Sequence, residues 1–126
     1  MTDLNYEATT STPQVDGCWE TGVLEMRGDS YPEHSYRFFV PVLDWVARRL
    51  ADGEVPLVVE LHLLYMNTSS VKSMMDLFDM LEEAHAHGHP VSVSWYYDPE
   101  NERIAELATE FKEDYTFPFE VLRRGA

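Results

Sequence analysis

Apolar and polar residues alternate first near the amino terminus, where the pattern predicts a β-hairpin. A short strand and a loop cover the first residues, a turn is expected at residues 15–17, and a second strand covers residues 22–27. Gly28 and Asp29 come next and predict that this strand closes in a turn. The chain is therefore expected to begin with two paired strands.

The next stretch repeats apolar residues every three or four positions, which is the period of an amphipathic helix. Pro32 opens this stretch, Ser30 is a candidate N-cap, and residues 52–53 end it. Pro41 lies inside the repeat and lacks the N–H group that a helix interior uses. We therefore expect a kink or a restart of the helix at Pro41.

Strands and helices then alternate to the end of the chain. A nearly continuous apolar run at residues 57–65 predicts a strand buried on both faces at the centre of a sheet. A helix that stops at Gly88, a strand at residues 91–97, a helix from residues 98–99 and a last strand at residues 117–122 follow. The buried side of the first of these helices is expected to carry Val71, Met74, Met75, Phe78 and Leu81.

This order of elements predicts an α/β fold. Right-handed crossovers place the later strands parallel in one sheet, and the hairpin adds antiparallel strands to it. The expected architecture is a single mixed β-sheet with helices packed on it. The 126 residues, 44% of them hydrophobic, fit one domain that covers residues 1–126.

The charge balance narrows the range of partners. Nine Lys and Arg stand against 23 Asp and Glu, which gives a formal net charge of −14. This charge repels phosphate backbones and anionic lipids, so neither nucleic acid nor a membrane is expected as a partner. A basic patch on another protein is the complementary surface. The single cysteine, Cys18, and the lack of an apolar leader or spanning segment favour a cytoplasmic location.

Three consecutive hydroxyl residues, Thr68, Ser69 and Ser70, stand where the central strand gives way to the next helix. Sites of α/β sheets lie at the carboxyl ends of strands. One interpretation is that a hydroxyl caps the helix, which contributes about 1 kcal/mol and requires no further function. The other is phosphorylation, because free N–H groups and the positive end of the helix dipole tolerate a phosphate there. The residues alone leave both open.

A histidine cluster, His85, His87 and His89, stands beside Glu82 and Glu83 and raises the hypothesis of a metal site. The spacing argues against it. His85 and His87 point to different sides of a helix, and His85 pairs with His89 only if the helix continues past the intervening glycine. We expect no metal ion, and we expect the histidines to complement the negative end of the helix.

No catalytic residue is expected. Asp76, Asp79, Glu82 and Glu83 are expected on a solvated helix face. His62 is expected to be a satisfied core or sheet-face histidine, not a base. The chain has no legible Ser-His-Asp or Cys-His spacing, no glycine-rich phosphate loop and no nucleophile elbow.

Aromatic and methionine side chains are enriched at protein contacts. Tyr31 is expected in a loop, and Tyr65 and Met66 adjoin the hydroxyl turn. The expected partner-binding residues are Tyr31, Tyr65, Met66, Asn67, Ser69 and Ser70.

Five stretches of the sequence carry a resemblance to a known family. They are Gly-Asp-Ser-Tyr-Pro-Glu at residues 28–33, Leu-Leu-Tyr-Met-Asn-Thr-Ser-Ser at 63–70, Met-Met-Asp at 74–76, Asn-Glu-Arg at 101–103 and Phe-Pro-Phe at 117–119. The Asn-Thr-Ser-Ser turn between an apolar strand and a Met-rich helix is the most specific. Over nearly its whole length the chain resembles the SiaC family of bacterial biofilm-regulating phosphoproteins.

The resemblance implies a partner-switching protein whose fold is similar to anti-sigma-factor antagonist (STAS-like) domains and whose phosphorylated residue is Thr68. It implies a cognate serine/threonine kinase, a metal-dependent phosphatase of the PP2C type, and a diguanylate cyclase that the unmodified protein binds and activates. Cyclic di-GMP synthesis, aggregation and biofilm formation lie downstream. The metal and the nucleotide belong to the partners, so the resemblance implies no cofactor in this chain.

Two other functions stay open at the level of sequence. An anti-sigma-factor antagonist would use the same fold and the same phosphorylation to control transcription. A metal-dependent enzyme would use His85, His89 and the nearby carboxylates.

Overall fold

The computed structural model describes residues 3–124, so the outermost residues of the expected domain lie outside the described part. The strands are β1 Leu4–Tyr6, β2 Gln14–Cys18, β3 Val23–Ser30, β4 Leu57–Met66, β5 Val91–Tyr97 and β6 Phe119–Arg123. The helices are α1 Ser35–Asp52, α2 Thr68–Ala86 and α3 Glu102–Asp114. Each helix connects two neighbouring strands.

The six strands form one sheet in the order β1-β2-β3-β4-β5-β6. The first two pairings are antiparallel, and the pairings from β3 to β6 are parallel. Because every crossover steps in the same direction and right-handed crossovers are the rule, all three helices lie on one face of the sheet. The prediction of an α/β fold with a single mixed sheet is confirmed.

The core lies between the helices and this one face. Leu24, Val59, Leu61 and Trp95 are fully buried there, whereas the opposite face carries half-buried polar residues such as Glu60. The prediction that the central strand is buried on both faces is therefore wrong, because no helix covers the second face. Within residues 3–124 no helix combines the length and the apolar character needed to cross a bilayer.

The amino-terminal prediction of two strands is incomplete, because three strands form. Residues 15–17 lie inside β2, so the turn expected there is wrong; the chain turns instead before Gly22, which has a φ of 73°. The turn expected at Gly28 and Asp29 is also wrong, because β3 continues to Ser30 through a shift in its register with β4. Gly28 has a φ of 111°, and a glycine with positive φ is a common component of a β-bulge.

The first helix differs from its prediction at its start. Ser30 ends β3 and does not cap α1, which follows His34 and begins at Ser35. Pro41 lies inside a single uninterrupted helix, so the expected restart is wrong. The helix ends at Gly53, whose left-handed conformation and N–H bond to the Arg49 carbonyl satisfy the last turn.

Smaller corrections concern the second half of the chain. The third helix begins at Glu102 behind its N-cap Asn101, not at residues 98–99. The last strand begins two residues later than expected, at Phe119. Met75 was expected in the core of α2 but is 44% exposed, because it lies one position beyond the buried Met74.

Candidate functional site

The hydroxyl turn lies at the carboxyl edge of the parallel strands, where β4 passes into α2 through one residue, Asn67. The Asn67 side-chain oxygen accepts a hydrogen bond from the Ser70 backbone N–H at 2.9 Å and caps α2. The hypothesis that Thr68, Ser69 or Ser70 caps this helix is therefore wrong. Their hydroxyls are free for other roles.

Two of the three hydroxyls belong to a buried hydrogen-bond cluster. The Ser70 hydroxyl lies 2.8 Å from the Ser30 hydroxyl at the end of β3, and the Ser69 hydroxyl lies 2.7 Å from the Ser35 hydroxyl at the start of α1. The Asn67 N–H donates to the Ser30 carbonyl at 2.9 Å. These bonds fix the first turn of α2 against two other elements, because buried polar groups are held to their partners.

Thr68 is different from its two neighbours. It is the first residue of α2, its side chain is exposed, and its hydroxyl forms no hydrogen bond within residues 3–124. Ser69 is exposed too but engages Ser35, and Ser70 is fully buried. A group that adds charge to Thr68 therefore meets solvent and the positive end of a 19-residue helix without breaking an existing bond.

An exposed aromatic pair borders Thr68. Tyr31 and Tyr65 are 39% and 46% exposed, and their rings meet edge to face with centroids 5.8 Å apart. Leu64 next to them is 44% exposed, and Asn67 is half-buried. Tyr31, Leu64, Tyr65, Thr68 and Ser69 form what we call the switch surface.

Met66 and Ser70 do not reach this surface. They are 7% and 0% exposed, so the expectation that their side chains offer contacts is wrong for this conformation. The β-bulge is the cause: Gly28 pairs with Leu63 and the next residue pairs with Tyr65, so Leu64 is the extra residue. Side chains alternate between faces along a strand, and one extra residue reverses that alternation. Tyr65 turns outward and Met66 turns inward.

A cleft of about 410 Å³ opens between this turn and α3. Tyr65, Thr68 and Val71 lie on one side, and Arg103, Leu107 and Glu110 on the other. Asn101 ties the two sides together, because its amide nitrogen donates to the Leu64 carbonyl at 2.9 Å and its oxygen caps α3 through the Ile104 N–H. The sequence indicated the hydroxyl turn and singled out residues 101–103 as a family stretch, but it did not show that the two segments meet in one cleft.

The histidine cluster does not form a metal site. Within residues 3–124 no three His, Cys, Asp or Glu side chains are grouped to hold an ion. Helix α2 ends at Ala86 and Gly88 has a φ of 85°, so His85 and His89 do not share a helix face. The ring of His87 instead lies 2.8 Å from the Glu83 carbonyl and closes the last turn.

His62 lies on the helix-free face of the sheet, as expected. Its ring stacks on that of Tyr96 with centroids 4.7 Å apart. Burial, and then the charge of Arg27 on the neighbouring strand, lowers the pKa of His62 below its ordinary value. Both causes favour the neutral form of the imidazole, which lies on the other face of the sheet from the helices.

Two of the four helix carboxylates have a structural role that the sequence did not indicate. Asp79 accepts a hydrogen bond from the Tyr115 hydroxyl at 2.9 Å, and burial together with this bond raises the pKa of Tyr115. Glu82 accepts from the backbone N–H and the hydroxyl of Thr116, both at 2.9 Å. They attach the α3–β6 connection to α2, so the expected solvated face is incomplete as a description.

Comparison with known proteins identifies one family. A family model described as SiaC family regulatory phosphoprotein matches residues 6–124. An uncharacterized protein of Pseudomonas aeruginosa (strain UCBPP-PA14) is 59% identical over 121 residues, which are 96% of each chain.

Two solved structures from Pseudomonas aeruginosa share the fold over its length. Apo-SiaC superposes with a TM-score of 0.93 at 56% identity and covers 97% of this chain and 99% of its own. SiaC bound to the diguanylate cyclase SiaD, whose activator it is, superposes with a TM-score of 0.94 at 57% identity and covers 97% and 100%. The resemblance of the sequence is thus confirmed, and the chain belongs to the SiaC family of regulatory phosphoproteins.

Proposed function

We propose that this chain binds and activates a diguanylate cyclase while Thr68 is unmodified, and that phosphorylation of Thr68 ends the activation. The observation that carries the proposal is the exposed, unengaged Thr68 hydroxyl beside the exposed Tyr31–Tyr65 pair. The relative from Pseudomonas aeruginosa that activates its cyclase is 57% identical over nearly the whole chain, which supports the same partner here.

The physics of the switch is local. A phosphate adds a charge of about −1.5 to −2. At the first residue of α2 the helix dipole offsets part of this charge, so the fold persists. When a partner covers the tyrosines of the switch surface, the phosphate charge is removed from water. Burying an unpaired charge costs free energy, so it opposes binding. Phosphorylation therefore weakens docking and leaves the structure of the chain intact.

The remaining partners follow from the same proposal. A cognate serine/threonine kinase adds the phosphate, a PP2C-type phosphatase removes it, and the chain acts in the cytoplasm without a cofactor and without catalysis of its own. Cyclic di-GMP synthesis and biofilm formation are the output. The alternative of an anti-sigma-factor antagonist receives no such support, because the structural relative is a cyclase activator.

Site mapping tests the acceptor. The chain purified from cells that contain its kinase is expected to carry one phosphate, located at Thr68 by fragmentation mass spectrometry. Thr68→Ala is expected to lose the phosphate, and Ser69→Ala is expected to retain it because the Ser69 hydroxyl is engaged with Ser35. A phosphate on Ser69 with Thr68 unmodified would overturn the assignment.

A second experiment tests the direction of the switch. Thr68→Ala is expected to activate the cyclase as the parent does, whereas Thr68→Asp is expected to bind about tenfold more weakly or worse. Thr109→Asp places the same change on an exposed part of α3 and serves as the matched control. Equal activation by the two Thr68 variants would contradict phosphate as the signal that ends activation.

A further inference from the structure

Arg103 is an exposed cation on the wall of the cleft that Thr68 also lines. Cations are scarce in this chain, since nine Lys and Arg stand against 23 acidic residues. Within residues 3–124 Arg27, Arg48 and Arg49 form ion pairs, and Arg103 forms none. An unpaired guanidinium therefore stands across the cleft from the exposed hydroxyl.

The two sides of the cleft are held in a fixed relation. Asn101 is bonded through one side-chain atom to the Leu64 carbonyl and through the other to the first turn of α3. Arg103 lies two residues after this anchor, and Thr68 lies four residues after Leu64. The Asn67 cap and the serine cluster fix the first turn of α2 in the same way. The distance between Thr68 and Arg103 is thus set by hydrogen-bonded backbone on both sides.

Other charges compete for a phosphate at this place. Lys72 lies four residues after Thr68 on the same helix, at a spacing that brings side chains together. Glu106 and Glu110 line the α3 side and repel a phosphate. Arg103 has two advantages over Lys72: it lines the cleft, and its planar fork offers two parallel N–H donors to phosphate oxygens.

We propose that Arg103 binds the phosphate of phosphorylated Thr68 and holds it across the cleft. This inference rests on the proposed modification of Thr68 and adds a receptor for it within the same chain. The bound phosphate occupies space in the cleft that Tyr65 and Leu107 also line, so less of the cleft is open to a partner. Phosphorylation then fills part of a pocket in addition to placing charge on the switch surface.

The test uses the full chain with phosphothreonine installed at position 68 during translation, so it requires no kinase. Titration followed by ³¹P NMR reports the second ionisation of the phosphate. In Arg103→Gln the second pKa of the phosphate is expected to rise by roughly 0.5 of a pH unit, because the parent's nearby cation favours the dianion. Arg103→Lys keeps a cation and is expected to show a smaller rise. Arg48→Gln, on helix α1, is expected to cause none.

Lys72→Gln separates the two candidate receptors. A small shift in this variant beside a larger one in Arg103→Gln supports the proposal. A shift in Lys72→Gln with none in Arg103→Gln would assign the phosphate to its own helix and overturn it, as would identical titrations of all variants. Failure here leaves the mass-spectrometric result at Thr68 untouched, so it is distinguishable from failure of the proposed function.

Discussion

The two ends of α2 carry clusters of reactive side chains, and in the described part of the chain polar groups of other elements meet the amino-terminal cluster. At the amino end, Thr68 stands free beside hydroxyls that are bonded to β3 and α1. At the carboxyl end, His85 and His87 are exposed, and within residues 3–124 no group of three His, Cys, Asp or Glu side chains forms there. The first cluster joins β3, α1 and α2 through hydrogen bonds. At the second cluster α1 also packs beside the histidines, but the α1 residues that line the pocket there, Ala47, Leu50 and Ala51, are apolar.

The difference follows from the topology and not from the residue types. Strands β3 and β4 are parallel, so both end beside the start of α2, and loops from neighbouring strands converge there. The carboxyl end of α2 returns to the opposite edge of the sheet, where β5 begins. A cluster of reactive side chains can form a site where other elements bring polar groups to it. The strand order decides at which end of a helix this occurs.

Introducing the same charge at two hydroxyl positions of one helical turn, Thr68 and Ser70, gives the largest expected contrast. Ser70→Asp buries a carboxylate in a fully enclosed position and is expected to lower the free energy of unfolding by about 3 kcal/mol or more. Thr68→Asp is expected to stay within about 0.5 kcal/mol of the parent, because its side chain is exposed at a helix amino end. Urea denaturation followed by tryptophan fluorescence measures both.

Ser70→Ala is the control for this contrast. It removes the bond to Ser30 without adding charge, so a loss of about 1 kcal/mol is expected. If Ser70→Asp and Thr68→Asp were equally stable, the amino end of α2 would be open at both positions, and the distinction between an exposed and a buried hydroxyl would fail.

The cap at Asn67 predicts the next largest effect. Asn67→Ala removes the acceptor for the Ser70 N–H and is expected to lower the free energy of unfolding by about 1 kcal/mol. Asn67→Asp keeps an acceptor at the same place and is expected to lose less than half of that. The midpoints of urea denaturation measure the stability of both variants, provided that the dependence of the unfolding free energy on urea concentration is the same as in the parent. Full stability of Asn67→Ala would return the capping role to one of the three hydroxyls.

The sequence predicted the fold well where the periodicity of a segment was unambiguous. The helices and the parallel strands β4 and β5 follow from apolar repeats of fixed period. Two of the errors lie at a glycine and a proline, whose local preferences allow more than one structure. Gly28 was expected to end β3, but β3 continues past it beside a bulge whose extra residue, Leu64, belongs to β4. Pro41 was expected to kink or restart the first helix, which continues through it without a restart.

The site was predictable in its centre and not in its surroundings. The hydroxyls after an apolar strand indicated the turn, and the family resemblance implied Thr68 within it. The apolar run before the hydroxyls gave no indication of which residues of the strand face inward. Because residues 63–66 are all apolar or aromatic, nothing in the sequence shows that Leu64 is the extra residue of a bulge and that Met66 turns inward. Arg103 reaches the site only through the hydrogen bond of Asn101 to Leu64, a contact between segments 37 residues apart.

The carboxyl end of α2 can be weakened without reaching the switch surface. Gly88 has a φ of 85°, and a Cβ placed there meets no atom within 4 Å, so Gly88→Ala strains only the backbone. The left-handed backbone strains the folded alanine variant, whereas the lower conformational entropy of its unfolded chain offsets part of that strain. The net destabilisation is expected to be about 0.5 kcal/mol. Cyclase activation is expected to equal that of the parent, in contrast to Thr68→Asp. A loss of activation in Gly88→Ala would make the histidine end part of the site.

The smallest expected effect is a dependence on pH at Glu82, one turn before this end. The bond from the Thr116 N–H, followed by that from its hydroxyl, lowers the pKa of Glu82 below its usual 4.5. A carboxyl group whose pKa falls on folding stabilises the protein above its unfolded pKa, and that stabilisation disappears as the pH falls through the lowered value. Parent and Glu82→Gln are therefore expected to differ in stability at pH 6 and to converge as the pH falls through the lowered pKa of Glu82. A difference that persists unchanged in acid would show that Glu82 acts through packing and not through its charge.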